Sequence, residues 1–529
     1  MYPETFFLSL KQKMKKNWAF AFCSAFCIGL LIHLFRLTNH LLTWDSVYNF
    51  YDSQNKIELG RCFLTLSCSI GSYYDLQWIT GLLSLCYLAL TCVCLSEIFS
   101  LQKRTSIFFI CALTVSFPTV ASTFAYMYTA DGYFLAQLCA ALAVLVTIKY
   151  KKGFLAGIVF LAFSYGSYQA YVSYTVMLIL TWTIMQVIFG DRNIRELLSY
   201  WLRFFLMGGL GTLLYFICNK ALTWLQNTTT SEYNGISTIS FPGAQAFLTA
   251  VKNCIIDFAY FFFGPLGQIN LYKILNICLF FLLFCLLVWQ IWKNRLYQKP
   301  VSFLMLLFSF VCIPFACSMI YFLSPDVRYY MLMYAGFCLI YMLPVLFYDN
   351  MYKTAPSLPQ QSKTDGAGAL YQPTAPDRKS CLFSWCCISV TALIVFNFAL
   401  IDNISYLYMV SSNEKTFQLV SRMTDRIEQL ENFPSAQKLC VIGHFNDYDT
   451  IALNLPPAMA GIRDSYLISE SAHFTAMMDT YFGLKLEPCT KEEKEVIADS
   501  DEFNKMADWP STSSIMQIDD TIVIKIGGD

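Results

Sequence analysis

Long apolar runs separated by short polar stretches dominate the chain, at about residues 18–37, 76–98, 106–123, 126–148, 153–166, 169–189, 200–222, 270–292, 301–323, 329–348 and 381–401. Most approach the roughly 20 residues a helix needs to cross a hydrocarbon core of about 30 Å. The fifth and sixth form one stretch too long for a single crossing, and "SYGSYQ" (164–169) is its polar break. In lipid a segment must satisfy its own backbone hydrogen bonds, so each run is predicted to be a helix. The pattern predicts an α-helical polytopic membrane protein with about 11 transmembrane helices. No secretory cleavage pattern precedes the first run, which is read as a retained span.

Lysine and arginine placement orients these spans, because cytoplasmic connections are enriched in both. With the N-terminus inside, the inner connections hold "KQKMKK" (11–16), "QKR" (102–104), "KYKK" (149–152), Arg192, Arg195, "KNRLYQK" (293–299), Lys353, Lys363, Arg378 and Lys379. The outer connections hold only Arg36, Lys56, Arg61, Lys220, Lys252, Lys273 and Arg328. Eighteen basic residues against seven support eleven crossings, with the N-terminus cytoplasmic and the tail extracytoplasmic.

Two regions break the apolar pattern. Residues 349–380 are rich in Pro, Ser, Gln and Gly and read as a flexible cytoplasmic linker between a 1–348 core and a last span at 381–401. From 402 to 529 the chain reads as a small α/β extracytoplasmic domain, with helical periodicity over 413–433 and strands at 438–443 and 520–528.

Composition agrees: the chain is 56% hydrophobic and 14% charged, with a mean hydropathy of +0.49, which excludes an ordinary soluble protein. Most of its 21 cysteines lie inside apolar runs and read as small hydrophobes. Cys440 and Cys489, in the tail, are the two that an oxidising compartment could pair. None of the four histidines stands at metal-ligand spacing from a cysteine pair. There is no glycine-rich phosphate loop, no internal repeat and no basic patch suited to nucleic acid.

The candidate chemistry lies in "LTWDSVYNFYDSQNKIELGR" (42–61), directly behind the first span. Helical spacing puts Trp44, Val47, Tyr48 and Tyr51 on one face and Asp45, Asn49 and Asp52 on the other, an amphipathic surface helix within 38–66. Its charges either meet water or face a site. Other polar residues collect at outer span ends: Asp131, Tyr165, Tyr168, Gln169, Asp257 and Arg328. Charge at membrane depth is costly and is kept near partners or a wet cavity, so each is a site candidate. For Asp131 and Asp257 solvation near the interface, and for Arg61 and Arg328 snorkelling to the headgroups, are the alternatives.

In "WDSVYNFYDSQNKIELGRCFLTL" (44–66), "YYDLQWITGLLSL" (73–85), "FPTVASTFAYMYTADGYFLAQL" (117–138), "SYGSYQAYVS" (164–173), "PDVRYYML" (325–332) and the tail's "NEKTFQLVSRMTDRIEQ" (413–429), the chain resembles the polytopic GT-C type glycosyltransferases typified by the phage-encoded O-antigen glucosyltransferases. In this chain Asp45 is followed by Ser46, where some members carry two adjacent acids. The resemblance implies an enzyme that moves a hexose, by analogy glucose, from a polyprenyl-phosphate carrier to a cell-surface glycan on the outer face of a bacterial inner membrane. It implies Asp45 as the base for the acceptor, Arg328 and Arg61 on the donor phosphate, and Asn49, Asp52, Asp131, Tyr168, Gln169 and Asp257 on sugar or acceptor hydroxyls. Inversion is then expected, no cofactor is implied, and metal dependence stays open. The upstream partners would be a small flippase and a polyprenyl-phosphate sugar synthase.

Two rival readings need many spans as well. A transporter or flippase of lipid-linked saccharides would carry broken helices in repeated halves, which the sequence lacks. An O-antigen polymerase or ligase would lean on arginines and a histidine in a large late loop, and residues 223–252 contain neither.

Overall fold

The computed structural model describes residues 2–5, 14–229, 243–264, 270–325, 327–351, 378–431, 433–445, 456, 459, 462 and 465–527. Most of the expected linker, at 352–377, and the middle of the 223–252 stretch, at 230–242, lie outside the described residues.

Among the described residues, eleven helices are long and apolar enough to cross a bilayer. They are α1 (Lys16–Thr38), α2 (Gln77–Ile98), α3 (Arg104–Ala125), α4 (Met127–Lys149), α6 (Tyr171–Phe189), α7 (Ile194–Leu225), α8 (Ala244–Phe263), α9 (Leu271–Lys293), α10 (Pro300–Cys317), α11 (Met331–Met351) and α12 (Lys379–Glu428). Between α4 and α6 runs a shorter apolar helix, α5 (Gly153–Ser167). One of these differs from the sequence expectation, since α8 is absent from the apolar runs, whereas α5, 15 residues long, keeps to the run at 153–166.

Contacts sort the helix ends onto two faces. On one, Glu97 at the end of α2 pairs with Lys15 before α1 at 2.8 Å and with Lys149 at the end of α4. There Asp349 accepts from the backbone N–H of Lys103 at 3.0 Å, and Asn294 donates to the Ile188 carbonyl at 2.7 Å. On the opposite face Asn55 donates to Gln226, and α8 makes its bonds. Asn253 donates to the Pro325 carbonyl, while Tyr272 and Asn276, at the start of α9, donate to the carbonyls of Phe261 and Phe262. Helix α8 thus begins and ends on one face. Its exposed apolar residues, among them Leu248, Ile255 and Ile256, form a stripe suited to lying in the interface. With α8 in the plane and α5 counted as a crossing, eleven segments alternate between the faces.

The long α12 crosses and then continues, without a Gly or Pro between 401 and 428 to stop it, into the tail domain. That domain carries a four-stranded sheet ordered β2-β1-β4-β3 (β1 Lys438–Ile442, β2 Glu487–Pro488, β3 Ile515–Ile518, β4 Thr521–Lys525). Strand β1 lies parallel to β2 and β4, and β3 is antiparallel to β4. Against the sheet packs α13 (Ser471–Phe482). Leu42 and Val47 of the first loop belong to the same apolar cluster as Val420, Met423, Phe474 and Met477 of the tail, so loop and domain share a core. Cys440 on β1 and Cys489, just past β2, are free thiols, and the Cys489 N–H donates to the Leu439 carbonyl at 3.0 Å.

Candidate functional site

The loop joining α1 to α2 does not form the amphipathic α-helix that its spacing predicts. Between residues 44 and 52 only Trp44–Tyr48 winds, as a 3-10 turn. Thr43 and Ser46 close it through their hydroxyls, 2.9 Å apart, and by the Ser46 N–H to the Thr43 carbonyl at 3.0 Å. Beyond it, side chains take the backbone partners a helix would need. Asn49 donates to the Asp45 carbonyl at 2.6 Å and accepts from Gln54 at 3.2 Å; Asp52 accepts from the Gln54 N–H at 2.9 Å. The other Asp52 oxygen pairs with Lys56 at 2.7 Å. Asp45, Asn49 and Asp52 therefore do not share a helical face: Asp45 opens to solvent, while Asn49 and Asp52 hold the loop.

A second turn, Ile57–Leu59, ends at Gly60 with φ of +70°. A side chain at Gly60 would meet Gln169 Nε2 at 2.5 Å and the Tyr215 hydroxyl at 2.8 Å. Gln169 donates to the Leu59 carbonyl at 2.9 Å and Tyr215 to the Gly60 carbonyl at 3.0 Å. Gln169 thus braces the turn that aims Arg61. The guanidinium donates to the Tyr133 hydroxyl at 2.8 Å and lies 5.4 Å from the centroid of Tyr168, whose ring stacks on Tyr133 at 4.2 Å. The brevity of α5 makes room for this arrangement: the loop packs over its end, with Phe63 N–H on the Gly166 carbonyl at 2.7 Å and Ser67 on Ser167 at 2.6 Å.

Electrostatics tie Asp45 to Arg61 and to the tail domain. Confinement by the surrounding protein raises its carboxyl above the ordinary carboxylate range although water reaches it, and His473, Arg61 and Lys56 pull it back down. His473, on α13, is held below its ordinary value by burial, opposed by Glu470 and Asp45. Burial pushes the Tyr48 hydroxyl up to about 12, helped by Glu470 and Asp45.

The remaining candidates lie elsewhere. Asp131 is buried beneath the loop, accepts from the Gly132 N–H at 2.9 Å, and presses against Gly71, where a side chain would meet its Oδ2 at 2.8 Å. Two residues before Tyr133, it faces away from Arg61. Asp257 on α8 accepts a hydrogen bond from Tyr321. Arg328 is exposed, 5.5 Å from the centroid of Tyr330, and no contact joins it to Asp45 or Arg61 among the described residues. Nor do the described residues bring three His, Cys, Asp or Glu side chains together as a metal site.

A family model described as glucosyl transferase GtrII matches residues 34–340. The chain belongs to that family. No curated protein and no solved structure matches it. The matched span of this GtrII-family glycosyltransferase includes Asp45, Arg61, Asp131, Tyr168, Gln169, Asp257 and Arg328, and ends before the tail domain. Membership brings glucosyl transfer as the family's activity, and the apolar helices make the chain a multi-pass membrane protein. The sequence reading does not reach Lys56, Tyr133 or His473. Spacing of i,i+4 with Asp52 is the sequence signal for Lys56, and His473 has none, since the fold alone brings it to the loop.

Proposed function

We propose that this GtrII-family protein transfers glucose from a polyprenyl-phosphate donor to a hydroxyl of a cell-surface glycan, at the extracytoplasmic face of a bacterial inner membrane. The observation that carries this is one solvent-open carboxylate, Asp45, within electrostatic reach of a braced guanidinium, Arg61, both carried by the first loop. Asp45 takes the proton of the acceptor hydroxyl as its oxygen bonds to C1 of the sugar. The bond from C1 to the phosphate oxygen breaks, and polyprenyl phosphate leaves with the electron pair, its charge met by Arg61. One displacement inverts C1. Arg328, on the same face but separate, serves the donor's approach. The Lys and Arg asymmetry supports the orientation.

Transfer of labelled glucose from the lipid donor in membranes tests the reading. Asp45→Asn should lose about 10²–10⁴-fold in rate at normal protein level. Undiminished transfer by that variant refutes the base assignment.

A further inference from the structure

We propose that Trp44, Tyr48 and His473 form an acceptor-saccharide subsite built jointly by the first loop and the tail domain, with a pyranose ring seated on the aromatic faces beside Asp45. The proposal rests on the glycosyl-transfer reading above and adds where the acceptor binds.

Trp44 and Tyr48 flank Asp45 on one 3-10 turn and remain 40% and 46% exposed, although Val47 between them is buried in the core shared with the tail. His473 reaches them from α13, its ring centroid 6.1 Å from Trp44 at 79° and 5.6 Å from Tyr48 at 50°. The three rings make an angled, partly open wall. Sugar rings present an apolar C–H face that suits the negative face of an aromatic ring, with hydroxyls at the rim for polar groups.

His473 supplies such a group. Its Nδ1 stands 3.3 Å from the Ser469 hydroxyl and 3.4 Å from the Ser469 N–H; with Nδ1 accepting from that N–H, the proton of the neutral ring sits on Nε2. Nε2–H is then a donor for an acceptor oxygen. The charged and titratable groups around the wall are Asp45, Lys56 and Arg61 of the loop and Glu470 beside α13.

Exposed Trp and Tyr at a membrane surface also form interfacial belts. Belt rings, however, anchor among lipid headgroups, whereas these two pack against the imidazole of a water-side domain. That domain is fastened at the same point: Asn413 of α12 accepts from the Leu42 N–H at 2.9 Å and donates to the Leu42 carbonyl at 3.1 Å.

The test uses the full-length protein in membranes, labelled polyprenyl-phosphate glucose, and the surface-glycan fraction of the source cells as the varied acceptor. Trp44→Ala and His473→Phe, the latter keeping a ring in place, should each raise the acceptor KM at least five-fold with the donor KM unchanged. An unchanged acceptor KM in both variants overturns the subsite, as does a loss confined to membrane insertion, the belt outcome. Asp45→Asn separates the two proposals. Full transfer in Asp45→Asn with a raised acceptor KM in Trp44→Ala sinks the base and keeps the subsite; the converse pair of results does the opposite.

Discussion

Asp45, Gly60 and Arg61 carry three separable demands. Gly60 holds a left-handed backbone where a methyl group would strike Gln169 and Tyr215. Left-handed geometry alone costs a non-glycine residue roughly 1–2 kcal/mol. Gly60→Ala should therefore leave the helices intact yet turn Arg61 out of register, raising the donor KM about tenfold; a wild-type KM would show that the turn does not aim Arg61. Arg61→Lys keeps the charge but loses the guanidinium over the Tyr168 ring and the fork that grips phosphate, so it should resemble Arg61→Ala more than wild type in donor KM. The acidity of Asp45 sets a third expectation. Transfer needs the carboxylate, so activity is present above its pKa and lost as pH falls through it. Confinement raises that pKa, which places the acid limb of kcat/KM above the ordinary value of 3.8. Arg61 pulls the pKa down, so Arg61→Gln should move the limb to still higher pH; a limb that stays in place contradicts the coupling.

At the scale of elements, the helices were legible because a lipid-crossing segment has one solution and needs a fixed length. The runs at 76–98 and 126–148 match α2 and α4 almost to the residue. Two features were not. Helix α8 carries Lys252 and Asp257 inside an otherwise apolar sequence, and only its hydrogen bonds to loops and helix ends of one face argue for an in-plane helix. The first loop has helical spacing, but Asn49 and Asp52 cap the backbone locally, and that competition is invisible to a periodicity count. Asp45 and Arg61 were found because they stand in a polar stretch after a span; His473 was not, because it lies more than four hundred residues away and the tertiary fold alone brings it near. The in-plane placement of α8 has a direct check. Cysteines at Ala244, Phe263 and the exposed Val496 should all label with an impermeant thiol reagent from the same side. Label reaching the two ends of α8 from opposite sides would make it a crossing and reverse the tail.

For the whole molecule, the tail domain is not a free appendage, since its core is completed by Leu42 and Val47 and its first helix is the continuation of a membrane span. Asn413 is the joint. It satisfies both backbone groups of Leu42 and is itself buried, so Asn413→Leu leaves a donor and an acceptor without partners at an apolar interface. Each such loss costs about 1–3 kcal/mol. The membrane helices do not depend on this contact, whereas the seating of the loop on the domain does. Asn413→Leu should therefore keep the protein in the membrane at normal level, speed proteolysis between the end of α12 and β1, and lower transfer by raising the acceptor KM. A variant that resists protease like the wild type would mean that the shared core holds loop and domain together without the joint.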